Sequence, residues 1–95
     1  MTTGTVCMDI YLPKIFPTMS KRDRLQVAEW FVHEDDVVFP GQWLVEIDAP
    51  VGFIAIPAPP DMKRPHRVTH IEKGQGQPIH LGDLLLRLEP SEGAA

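Results

Sequence analysis

Cysteine is almost absent from this chain. Cys7 stands alone, so no internal disulfide can form, and no Cys/His spacing suited to zinc occurs. Long apolar runs are missing too. None approaches the roughly 20 residues that cross a bilayer as a helix. The opening Met1-Thr2-Thr3-Gly4-Thr5-Val6 lacks the basic and then apolar pattern of a secretory signal. A soluble protein of a reducing cytoplasm, with no membrane partner, is the expectation. Positive charge is in deficit: nine Lys and Arg against thirteen Asp and Glu leave a net charge of −4. That balance argues against nucleic acid or an anionic membrane as the main partner. Helix signals are also lacking, because no stretch combines a cap with a sustained 3.6-residue period. The 95 residues suit one domain with a small core.

What is abundant is punctuation. Ten prolines and seven glycines fall mainly between short extended runs, as an all-β sandwich or barrel requires. Residues 1–7 read as a loose arm and 90–95 as a tail, leaving 8–89 as the domain. Eight short strands are expected within it. They cover Met8–Leu12, Leu25–Val32, Val37–Phe39, Gln42–Asp48, Gly52–Ile56, Arg67–Glu72, Ile79–Leu81 and Leu84–Glu89. The most informative stretch is the hairpin from Glu46 to Pro59. Its tip, Ala49-Pro50-Val51-Gly52, has a proline that presets φ at the second turn position and a glycine at the fourth. The halves of the chain also resemble each other. Val38 to Ile47 aligns with Ile79 to Leu88, each a short strand, a glycine corner and a long apolar strand. Such a repeat implies two similar half-sheets about a pseudo-twofold axis.

Candidate chemistry is sparse. Ser20 and Ser91 lie in a loop and the tail, and no base accompanies either, so no catalytic residue is assigned and no enzyme is expected. Glu34-Asp35-Asp36 reads as a polar turn and not as a metal site. On a strand His66 and His70 stand about 13 Å apart, so both read as surface residues. Trp30 and Trp43 read as core. Lys63, Arg64 and Arg67 form a basic loop able to contact phosphate or an acidic partner. No aromatic platform or recognition helix accompanies it. Val51 is an apolar residue at a projecting tip, and Ala49 to Gly52 is therefore the candidate partner contact.

Leu12-Pro13-Lys14-Ile15, Glu29-Trp30-Phe31-Val32, Gly41 with Leu44, Glu46 and Ile47, and Pro57-Ala58-Pro59 follow one another in an order that resembles the biotinyl/lipoyl domains, closest to the lipoyl domains of acyltransferase subunits in 2-oxo-acid dehydrogenase complexes. Leu12-Pro13-Lys14-Ile15 with Thr18-Met19 matches the family's opening Met-Pro-Lys-Leu and Thr-Met. Glu29-Trp30-Phe31-Val32 matches Glu-Trp-Leu-Val. Glu34, Asp36 and Val38 match Glu-Gly-Asp-x-Val, and Gly41, Leu44, Glu46 and Ile47 match the strand before the hairpin. Pro57-Ala58-Pro59 with Asp61, and Gly82 with Leu84 and Leu85, match the exit loop and the last corner. The likeness spans about residues 8–89. It implies a barrel-sandwich hybrid: a flattened barrel or sandwich of two four-stranded antiparallel sheets with pseudo-twofold symmetry.

The departures matter as much. In that family the hairpin turn carries Thr-Asp-Lys-Ala, with lipoate or biotin on the lysine; here the lysine position is Val51. Family glycines are replaced at Phe16, Asp35 and Met62. Valine offers no amine, so no cofactor is expected. The resemblance then implies a protein-binding or scaffold module that docks on, or imitates a carrier within, a lipoate- or biotin-dependent enzyme. The alternative is a true carrier modified at an unusual lysine. Lys63 leads that reading because it shares a loop with Asp61.

Overall fold

The computed structural model describes residues 7–91. The expected arm and tail therefore lie outside the described residues, except at Cys7, Pro90 and Ser91. Eight strands occur in chain order: β1 (Met8–Tyr11), β2 (Leu25–Trp30), β3 (Val37–Val38), β4 (Trp43–Ala49), β5 (Gly52–Pro57), β6 (His66–Ile71), β7 (Pro78–Ile79) and β8 (Leu84–Pro90). Each expected strand is found, with ends moved by one or two residues. The last strand runs on through Pro90, and the Ser91 amide donates to the Pro65 carbonyl at 3.0 Å. Among the described residues no helix is long and apolar enough to cross a membrane.

The strands form two four-stranded antiparallel sheets, ordered β1-β8-β6-β3 and β5-β4-β2-β7. Moving four strands along the chain, cyclically, turns one order into the other. The pseudo-twofold relation extends to single hydrogen bonds. The Phe31 amide donates to the Leu44 carbonyl at 2.9 Å, and the Glu72 amide donates to the Leu85 carbonyl at 2.9 Å. The Leu12 amide donates to Asp83 at 2.8 Å, just as the Ala58 amide donates to Gln42 at 2.7 Å. From β2 to the end of β4 the offset between equivalent residues is constant: Val27 with Val68, Gly41 with Gly82, Leu44 with Leu85. Those three pairs are the only identities across the two β2–β4-type segments, so geometry repeats where sequence barely does.

The apolar side chains of both sheets meet in one core that includes Val27, Leu44, Val45 and Ile47 from one sheet and Val68, Leu85, Leu86 and Leu88 from the other. Simple alternation along β4 and β8 is broken by a bulge in each. Tyr11 pairs with Leu84 while Ile10 pairs with Leu86, and Pro57 pairs with Trp43 while Ile56 pairs with Val45. The extra residue, Leu85 or Leu44, turns into the core and is fully buried. On β4 the bulge leaves Trp43 outside, 56% exposed, contrary to its expected place in the core.

Turns close the same way in both halves. The Phe39 amide donates to Gln42 Oε1 at 3.0 Å and the Gln42 amide donates back to the Phe39 carbonyl at 3.1 Å. The His80 amide meets Asp83 Oδ2 at 2.9 Å and the Asp83 amide meets the His80 carbonyl at 3.0 Å. The third residue of each turn, Gly41 or Gly82, takes φ of +80° or +89°, a left-handed conformation that favours glycine.

Candidate functional site

The hairpin between β4 and β5 closes in two residues, Pro50 and Val51, with Ala49 paired to Gly52. Ala49 is buried and anchors the turn, and Gly52 takes φ of +122°. Val51 is 64% exposed and Phe53, two residues on, is 65% exposed. The tip thus presents two apolar side chains on a stiff turn and no amine. Phe53 carries a signal visible in sequence, an aromatic next to the turn, but only the pairing of Asp48 with Phe53 reveals that it points outward.

Behind the tip lies an acidic face. Asp48 pairs with Phe53 and Gln26, Glu46 pairs with Ala55 and Glu29, and these positions share the outer surface of one sheet. Glu29 and Glu46 are like charges directly opposite each other, an arrangement that destabilises a sheet. Among the described residues none of Glu29, Glu46 and Asp48 makes an ion pair. The equivalent positions on the other sheet are His70, Arg87 and Glu89, and there charge is compensated. Arg87 Nε donates to Asp9 Oδ1 at 2.7 Å, and Arg67 bridges Asp35 at 3.0 Å and Glu89 at 2.8 Å. The hydrogen bond from Arg87 holds the Asp9 carboxyl below the usual aspartate range and raises the guanidinium in return. The hydrogen bond from His70, at 2.7 Å, lowers Glu72 in the same way.

The basic loop divides. Arg67 is held on β6 by its two carboxylates, while Lys63 and Arg64 are exposed and make no ion pair among the described residues. His66 corrects the expectation of a surface residue: it is only 6% exposed, with Nδ1 2.9 Å from the Arg64 carbonyl. His70 is exposed, as expected. Trp30 is half-buried against the core and donates Nε1 to the Lys73 carbonyl at 2.7 Å. Among the described residues no group of three or more His, Cys, Asp or Glu side chains could hold a metal ion.

No protein-family model matches the chain, and no curated protein matches it. The functional reading therefore rests on the geometry of the tip, the acidic face and the internal repeat.

Proposed function

We propose that this chain is a lipoyl-like module without the cofactor-bearing lysine, a cytoplasmic protein-binding or scaffold domain related to lipoate- or biotin-dependent enzymes. The observation that carries this reading is the tip. Val51 and Phe53 project from a proline-stiffened turn at the position where the resembled family keeps an amine. Rigid apolar groups on an ordered turn lose little entropy on docking, which suits them as anchors. The uncompensated carboxylates behind them favour a partner surface that is basic around an apolar socket. No catalytic group is assigned. Under the carrier alternative, Lys63 sits on the loop after β5 and not on a hairpin tip.

Affinity capture from the native host tests the module reading. The wild-type chain should recover a lipoate- or biotin-dependent enzyme subunit, and Val51→Asp or Phe53→Ser should lose it while melting normally. Equal recovery with both variants, or no such subunit with wild type, would contradict the proposal.

A further inference from the structure

The two halves differ most in the loops that leave β1 and β5. Both contain the same turn: the Met19 amide donates to the Phe16 carbonyl at 3.0 Å, and the Met62 amide donates to the Pro59 carbonyl at 3.2 Å. Both methionines are buried. Around that turn the first loop is longer. It adds residues 13–15 before the turn, of which Ile15 packs on the core, and then runs through residues 20–24 to Leu25, which is 2% exposed. The second loop has only residues 63–65 before the equivalent position, and that position is His66.

The shorter loop leaves a cleft of about 310 Å³. Met8, Met62 and Pro90 supply its apolar wall, and Lys63, Arg64 and Asp61 its polar rim. His66 lines it as well. The Arg64 carbonyl can only accept, so Nδ1 carries the proton of that bond and Nε2 is the ring atom left to meet a ligand. No hydrogen bond engages Nε2 among the described residues. Among the described residues no buried side-chain nitrogen or oxygen lacks a partner, so Nε2 opens to the solvent of the cleft, at a position where the other half keeps a leucine.

We infer that this cleft binds a small aliphatic monocarboxylate, with the carboxylate between His66, Lys63 and Arg64 and the alkyl chain on Met8, Met62 and Pro90. Two cationic side chains against one carboxylate, Asp61, leave the rim net positive, which suits an anion. Nε2 donates to the carboxylate when the ring carries a proton on both nitrogens. At about 310 Å³ the cleft is at the small end of the range of ligand pockets, which suits a small ligand. This inference does not depend on the tip or on any protein partner.

The test is titration of the full chain with sodium hexanoate, followed by amide and imidazole NMR shifts. Hexanoate should saturate shifts at residues 62–66, Met8 and the neighbours of Pro90 at millimolar concentration, with acetate and hexanol each binding at least several-fold more weakly. His66→Leu, which copies the other half, should raise the dissociation constant about tenfold or more. The exposed double variant Lys63→Gln/Arg64→Gln should weaken binding without altering the fold, so the inference stays testable if His66→Leu does not fold. Three results would overturn it: no saturable shift, hexanol binding as well as hexanoate, or unchanged binding in the folded variants.

Discussion

Asp35 has φ of +78°, the left-handed conformation that Gly76 takes in the equivalent turn at +84°. A non-glycine residue there is strained, and aspartate is among the few that tolerate it. The same logic makes Gly41 and Gly82 testable. A Cβ at either would meet nothing within 4 Å, so the cost of Gly41→Ala or Gly82→Ala is conformational and not steric. Each should lose about 1 kcal/mol in urea denaturation, and the two losses should match because the turns are equivalent. Asp9 gives a second residue-level expectation. Its carboxyl is held low in the folded protein by Arg87, so folding favours the ionised form. The stabilisation is present above the ordinary aspartate range and is lost as pH falls through the lowered folded value. Melting temperature should therefore fall more steeply below about pH 4 in wild type than in Asp9→Asn, and added salt should shrink the difference. Residue-level features were partly legible in the sequence. The turn glycines and the Pro50–Val51 tip announce themselves by composition. The burial of His66 does not, because it depends on a loop, 58–65, five residues shorter than its counterpart, 12–24.

At the scale of elements, all eight strands could be placed from turn chemistry and apolar runs. Their faces could not. The bulges at Leu44 and Leu85 put consecutive residues into the core and turn Trp43 out, and a strict two-residue alternation misassigns them. The acidic face was equally hidden, since Glu29 and Glu46 are distant in sequence and meet only through the register of β2 with β4. That register gives a prediction with opposite signs for stability and binding. Glu46→Arg copies the equivalent Arg87 and removes the like-charge pair. It should raise stability by roughly 0.2–1 kcal/mol. It should also weaken recovery of the partner in the capture experiment, because the face would no longer complement a basic surface. A stabilised variant that still binds fully would separate the acidic face from docking.

For the molecule as a whole, the pseudo-twofold sandwich supplies the frame, and its two halves differ at the hairpin tip and at the cleft, where a partner and a ligand are proposed to bind. One half ends in an apolar hairpin tip over an acidic sheet, while the other has a charge-compensated sheet and an open cleft beside His66. The repeat was visible as a faint match between two glycine corners, and its full extent emerges only from hydrogen bonds, because identity is kept at so few positions. Whether the fold carries a cofactor turns on the chemistry of Val51 and the four lysines, Lys14, Lys21, Lys63 and Lys73. The most direct measurement is the intact mass of the protein purified from its native host, with peptide mapping of every lysine. The account predicts lysines free of any acyl group; a lipoyl or biotinyl adduct on any of them, Lys63 above all, would contradict it.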